Sequence, residues 1–393
     1  MAEFQVSYCQ NVHPVASRDD IFENLELRAA SIQKQLAADG DGSRLGVGLW
    51  FPADIASRFH HSTQINKLRE TIDSNQLFVT TFNGFPLGNF HQEVVKKDVY
   101  QPTWADPKRV EYTLDLVRIL EAILPPEQEG TISTLPLGWP DESRDDNEFF
   151  EACNQNLHAL ASQLDSIRER TGKQISICIE PEPGCVLGTA LQTVEFFEKW
   201  IFESEGPNWK HEFLKVCHDV CHSAVMMESQ TEVIHEYNSA GIEIGKVQVS
   251  SAPKAVFEDR NEEEQHQLLT QIKSFAEPRY MHQTMISNGE DRTFFDDLPA
   301  AIDHCESEIP IEARIHFHVP IFLESLGPLS TTGDEISETV AAVRESSNCR
   351  QFEIETYAWD VLPNRDQYLS LESGIAEEVQ WFRKLLADDP SAG

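Results

Sequence analysis

Short apolar runs rich in β-branched residues alternate along the chain with longer stretches whose apolar positions recur every three or four residues. The short runs predict strands over 4–9, 45–51, 77–82, 131–135, 175–179, 214–217, 245–249 and 352–355. The longer stretches predict helices with recognisable starts. Ser17 and Asp20 have capping-box spacing ahead of a helix over 21–36. Asp106-Pro107 offers an N-cap followed by a proline in the first turn. Val110, Leu114, Val117, Leu120 and Leu124 then recur until Pro125-Pro126 ends the helix. The stretches 149–170 and 193–202 read the same way.

Strand then helix, repeated, predicts parallel βαβ units, and eight of them close into an α/β (β/α)8 TIM barrel. Two further strand-like runs, 279–285 and 314–322, fall between the seventh and eighth strands. They predict a long elaborated connection there; a doubly wound open sheet is the competing arrangement. No repeat, low-complexity tract or Pro/Ser-rich linker divides the sequence. A single domain over 1–385 is therefore expected, with a disordered tail over 386–393.

Composition narrows the function. The 393 residues are 40% hydrophobic and 25% charged, ordinary for a folded protein. The charge is not ordinary: 31 Lys+Arg against 66 Asp+Glu give −35. Such a surface repels phosphate backbones and anionic lipid, so nucleic acid is excluded as a partner. Neither a signal peptide nor a run long enough to insert into a membrane is evident, and the eight cysteines show no C-x-x-C pair. A reducing, cytoplasmic setting is expected.

The candidate chemistry lies at the carboxyl ends of the strands, where a barrel places its active site. The first strand runs into Asn11 and His13, and the third into Asn83. Glu180 ends the fifth, Asp219 and His222 the sixth, and Glu355 the eighth. Pro181 forbids further ladder pairing after Glu180; Glu182, on the same strand face, is its rival. Glu180, Asp219 and Glu355 supply three oxygen donors around one centre, and a divalent ion keeps three converging carboxylates ionised. In Asp219-x-x-His222 one residue ligates while the other contacts substrate or moves a proton. His316-x-His318 places two imidazoles on one face of an extended segment. His282 and His13 are weaker candidates. Cys217 and Cys221, inside apolar strands, read as packing residues.

Together these stretches resemble the xylose isomerase-like barrel superfamily of sugar phosphate isomerases and epimerases. More narrowly, the chain is similar to the EboE family of metabolite-traffic proteins. The matching motifs include Tyr8-Cys9-Gln10-Asn11-Val12-His13-Pro14, Asn83-Gly84-Phe85-Pro86 and Glu180-Pro181-Glu182-Pro183-Gly184, together with His316-Phe317-His318-Val319-Pro320 and Glu353-Ile354-Glu355-Thr356-Tyr357. The superfamily resemblance implies one divalent metal (Mn, Zn, Fe or Co) on Glu180, Asp219 and Glu355. It implies Glu180 and Glu355 as the acid/base pair, with His222 near substrate. Gln248 stands where the superfamily usually has a histidine ligand, and His316 or His318 replaces that imidazole if the connection folds back over the mouth. His222, His316, His318, His282, Asn11, His13 and Asn83 are the candidate substrate contacts. The narrower resemblance implies a small metabolite and membrane proteins of the same gene cluster as partners; an oligomer remains open. It leaves open whether the barrel is catalytic or a hand-over protein.

Overall fold

A computed structural model of the chain describes residues 4–59, 61–88, 95–126, 128–203, 208–363 and 370–388. Eight of its strands are β1 (Gln5–Cys9), β2 (Leu45–Leu49), β3 (Leu77–Asn83), β4 (Gly130–Thr134), β5 (Ile175–Ile179), β6 (Leu214–Asp219), β7 (Ile244–Val249) and β14 (Gln351–Ile354). They close a parallel barrel in the order β1-β14-β7-β6-β5-β4-β3-β2. The fold is the expected (β/α)8 barrel, and the open-sheet alternative does not occur.

The long connection between β7 and β14 carries a sheet of its own. It comprises β8 (Pro253–Val256), β9 (Thr284–Asn288), β10 (Asp291–Phe295), β11 (Glu312–Ile315), β12 (Ser325–Leu326) and β13 (Leu329–Thr331), in the order β10-β9-β11-β8-β13-β12. All its pairings are antiparallel. The two strand-like runs foreseen in this stretch correspond to β9 and β11, each offset by a few residues. The other four strands are too short, or too polar, to announce themselves. The predicted tail over 386–393 overlaps the last helix, Leu371–Ala387, and residues 389–393 lie outside the described ones.

Local signals place the helices. Ser17 and Asp20 form both halves of a capping box, and the helical run they start, 18–38, contains a wide turn at Asn24–Ala29. Asp106 accepts from the Lys108 amide at 2.9 Å and opens the helix Pro107–Ile123. Outward strand residues such as Val47, Ile132, Ile177, Val216, Val247 and Ile354 are buried against these helices. No helix among the described residues is long and apolar enough to cross a membrane. All eight cysteines are buried, unpaired thiols.

The barrel interior is polar rather than aliphatic. Low in the barrel, Thr131 donates to Gln351 Oε1 at 2.6 Å and lies 3.0 Å from the Thr81 hydroxyl. One layer higher, Lys246 forms an ion pair with Glu353, and neither is exposed. Lys246 Nζ also donates to Asn83 Oδ1 at 2.9 Å, while Asn83 Nδ2 donates to Glu353 Oε1 at 2.8 Å. Gly48 makes room for this layer: a Cβ there would lie 1.6 Å from Glu353 Oε1.

Removing one partner of such a pair leaves an unpaired charge in a dry interior. Lys246→Met is expected to cost about 3–5 kcal/mol in urea unfolding. Lys246→Met combined with Glu353→Gln is expected to recover a large part of that loss. Additive costs in the double variant would show that the two side chains do not act as a pair.

Candidate metal centre

Each acidic residue of the mouth is fixed by the end of its own strand. The Glu180 amide extends the ladder by donating to Thr134 O at 2.9 Å, and Pro181 then ends it. Asp219 closes β6 and N-caps the short helix Val220–Val225. Its Oδ1 accepts from the His222 amide at 2.9 Å and the Ser250 hydroxyl at 2.8 Å. Its Oδ2 has no hydrogen-bond partner although the residue is buried. Glu355 follows β14, and its Oε1 accepts from Asn11 Nδ2 at 2.7 Å. Carboxylate oxygens of Glu180, Asp219 and Glu355 come within 4.8 Å of one another.

Gln248 lies in register with Asp219 on one side and Glu353 on the other. Its amide nitrogen donates to Asn83 Oδ1 at 2.9 Å, which fixes the group's orientation. Its Oε1 is buried without a hydrogen-bond partner. A carbonyl oxygen held this way is a donor suited to a hard divalent cation.

The elaborated connection folds back over the mouth and brings two histidines into it. The segment after β11 is pinned by the His316 amide to Gln283 O at 2.8 Å and by the Val319 amide to Ser251 O at 2.9 Å. His318 Nδ1 donates to the Glu355 carbonyl at 2.7 Å, so the neutral ring carries its lone pair on Nε2. That Nε2 is buried without a hydrogen-bond partner, 3.9 Å from Asp219 Oδ2. His222 Nε2 is also 3.9 Å from Asp219 Oδ2, and its Nδ1 donates to Pro181 O at 2.8 Å. Thus Asp219 Oδ2 and His318 Nε2, buried without hydrogen-bond partners and 3.9 Å apart, suit a cation bound between them, and Gln248 Oε1 on the neighbouring strand is a third buried acceptor of the same kind.

The electrostatics agree with the geometry. Burial, then Glu355 and Asp219, push Glu180 well above the usual carboxylate range. Burial, then Asp219 and Glu353, raise Glu355 to about 8. Burial also pushes Asp219 up, but His222, His318 and the hydrogen bonds from the His222 amide and Ser250 together hold it below its ordinary value. Burial lowers His318 to about 4 despite Asp219, and burial with the three surrounding imidazoles lowers His316 well below the usual imidazole range. Without a cation, Glu180 and Glu355 hold their protons to higher pH while Asp219 stays ionised.

Glu182, the rival of Glu180, faces the same cavity one step further out. Its Oε1 accepts from the Tyr100 hydroxyl at 2.7 Å and Gln283 Nε2 at 3.1 Å, and the residue groups with His222 and His316. The cavity is lined by Asn11, Asn83, Glu180, His222, His318 and Glu355 below, with Phe85, Tyr100, Tyr280, Met281 and Tyr357 above.

Three expected substrate contacts sit differently. Asn83 reaches the cavity floor, but its amide is spent on Lys246, Gln248, Ser133 and Glu353. His13 lies behind the wall, its Nε2 3.5 Å from the Tyr8 hydroxyl. His282 turns both ring nitrogens away, to the His316 carbonyl and to Glu277, each at 3.0 Å. Sequence reasoning overlooked Tyr100, Ser250 and Gln283, which hold Glu182, Asp219 and His316 in place. Nothing local in the sequence marks the long-range partners of these three residues. Cys221 groups with His316 and His318. Burial, then the charges of Asp219 and Glu355, keep it a protonated thiol.

No protein-family profile and no curated protein matches the chain. Solved structures do. A xylose isomerase-like TIM barrel protein from Mycobacterium smegmatis, in complex with magnesium, superposes at a TM-score of 0.54, with 9% identity over 98% of both chains. A putative sugar phosphate isomerase/epimerase from Anabaena variabilis gives 0.50 at 12% identity, over 98% of this chain and 99% of that one. At these identities the likeness defines the fold: a xylose isomerase-like TIM barrel.

A carboxyl whose folded pKa is raised contributes stability that is full below its unfolded value and lost as pH rises through the folded one. For Glu355 that window runs from 4.5 to about 8. In chelator-treated protein, the thermal midpoint is expected to fall across this range and to fall less steeply in Glu355→Gln. A slope identical in the two proteins would contradict the raised pKa.

Proposed function

We propose that this chain is a divalent-metal-dependent isomerase or epimerase acting on a small polyhydroxylated or carbonyl metabolite. The observation that carries this reading is the convergence of Glu180, Asp219 and Glu355, with Asp219 Oδ2 and His318 Nε2 both buried without hydrogen-bond partners and 3.9 Å apart. Glu180, Asp219, Glu355 and Gln248 would hold the ion, with His318 adjacent in the place of the imidazole that strand seven lacks. A bound divalent ion supplies Lewis acidity at a substrate carbonyl or alkoxide oxygen.

The chain's own residues supply the proton chemistry. Glu180 and Glu355 approach the cavity from different strands, so a carbon between them loses a proton to one carboxylate and regains one from the other. Asn11 fixes Glu355 for that role. The cavity floor holds acids, amides and imidazoles, and Lys96 at its rim is paired with Asp297 at 2.6 Å. Among the described residues no unpaired cation lines the cavity to receive a phosphate, which favours an uncharged substrate.

A second reading follows from the apolar upper wall of Phe85, Tyr280, Met281 and Tyr357 and from the narrower resemblance to metabolite-traffic proteins. In it the barrel holds a partly apolar metabolite for membrane-bound partners and performs no turnover.

Solvent deuterium incorporation into a panel of ketoses and aldoses separates the two. Metal-loaded wild type is expected to exchange the proton on the carbon beside the carbonyl. Glu180→Gln and Glu355→Gln are each expected to lower the rate by about 10²-fold or more. Binding without exchange across the panel supports the hand-over role. No metal uptake after reconstitution with Mn or Zn, read by elemental mass spectrometry, removes the isomerase reading.

A further inference from the structure

Above the carboxylate set, two imidazoles meet in an arrangement that a single ion does not explain. His222 Nδ1 lies 2.8 Å from the Pro181 carbonyl, and a carbonyl only accepts, so that nitrogen carries the proton. His316 Nδ1 lies 2.8 Å from Gln283 Oε1. The Gln283 amide cannot be turned round, because its nitrogen faces the Tyr100 hydroxyl, Glu182 Oε1 and Pro183 O at 3.0, 3.1 and 3.2 Å. His316 therefore also carries its proton on Nδ1. The two rings face each other through Nε2 atoms only 3.2 Å apart, with planes at 86°.

Two imidazole nitrogens at that distance hold something positive between them, a shared proton or a metal ion. Zinc–imidazole bonds of about 2.0–2.1 Å at a tetrahedral angle place two ligand nitrogens roughly 3.3 Å apart, close to what is seen. A third donor is at hand: Glu182 groups with His222 and His316, one ligand atom of each lying within 4.8 Å of the others. The surroundings match those of metal-binding histidines, whose second ring nitrogen usually donates to a carbonyl or carboxylate oxygen. Glu182 is itself steadied by Tyr100 and Gln283. All three candidate ligands are at least nine-tenths buried.

We infer that Glu182, His222 and His316 form a second metal site, so that the barrel mouth takes two divalent ions. This goes beyond the one-ion reading above and reassigns His222 and His316 from substrate contact to ion binding. The two sites differ in chemistry: oxygen donors on the barrel strands suit Mn or Mg, whereas the imidazole pair suits Zn, Co or Fe. Asp219 Oδ2 and His318 Nε2 stand where the two sets adjoin. The second ion would offer a second oxygen of the substrate, or a bound water, a place beside the reacting carbon.

The experiment is a Co(II) titration of chelator-stripped full-length protein, read by visible absorption and by elemental mass spectrometry after desalting. Wild type is expected to retain two equivalents and to develop the intense bands of low-coordinate, imidazole-bound cobalt. His316→Gln is expected to retain one equivalent and lose those bands. Glu355→Gln is expected to lose the carboxylate-site equivalent and keep them. Circular dichroism checks the fold, and Glu182→Gln replaces His316→Gln if that variant does not fold. One equivalent in wild type, kept in His316→Gln and lost in Glu355→Gln, overturns the second site and leaves the one-ion reading standing. Such a result would mean that the imidazoles share a proton instead. Two equivalents kept in His316→Gln also overturn it. No bound cobalt in wild type overturns both readings.

Discussion

A buried cation, Lys246, holds the anionic mouth of this barrel together. It sits among inward-facing residues with Glu353 as its ion-pair partner and Asn83 linking the two. Both Glu180 and Glu355 feel its charge, which draws their pKa values down against burial and mutual repulsion. Removing two charges from water is expensive, so a pair like this adds little net stability by itself. What it does is fix positions. Asn83 is oriented by Lys246 and Glu353, and Gln248 is oriented by Asn83, which leaves the Gln248 oxygen buried without a hydrogen-bond partner. One layer of the barrel thus sets the geometry of the layer above.

The second constraint comes from outside the barrel. Strand seven carries Gln248 in register with Asp219, and the imidazole beside Asp219 Oδ2 comes from the connection that follows. That connection can deliver a histidine only if it is rigid, and its own antiparallel sheet makes it so: β11 is paired on both sides, by β8 and β9, just before His316. His318 is then tied to the backbone of Glu355, the residue it stands beside. The insertion is therefore part of the site, because it carries donors that no barrel strand supplies.

How much of this was legible in the sequence follows from which signals are local. An apolar run ending in an acid marks both a strand and a site residue, so Glu180, Asp219 and Glu355 were readable along with the barrel. The capping boxes and Pro107 were equally local. Lys246 and Glu353 were not: a lysine inside a strand reads as solvent-facing until its partner, far along the chain, is known. For the same reason Asn83 was taken for a substrate contact when its amide serves the interior. His13 and His282 show the opposite error, since proximity to a motif says nothing about which way a ring points. The hairpins of the insertion were missed because strands of two to four residues carry too little periodicity to be seen.

The aromatic and aliphatic wall above the floor completes the physical logic. Phe85, Tyr100, Tyr280, Met281 and Tyr357 keep bulk water from the carboxylates, and dehydrated carboxylates interact strongly with whatever replaces the water. The same desolvation that makes Glu180 and Glu355 hold protons makes each a stronger base once ionised, and it makes a divalent ion a strongly favoured partner. Ion uptake must then displace protons, so affinity rises with pH across the interval in which Glu355 titrates. Amides and hydroxyls bind polar ligands without gathering acids in one place, so the proposed ion gives the arrangement a physical reason. With Glu180 and Glu355 protonated the like charges are absent; with both ionised, something positive must stand among them.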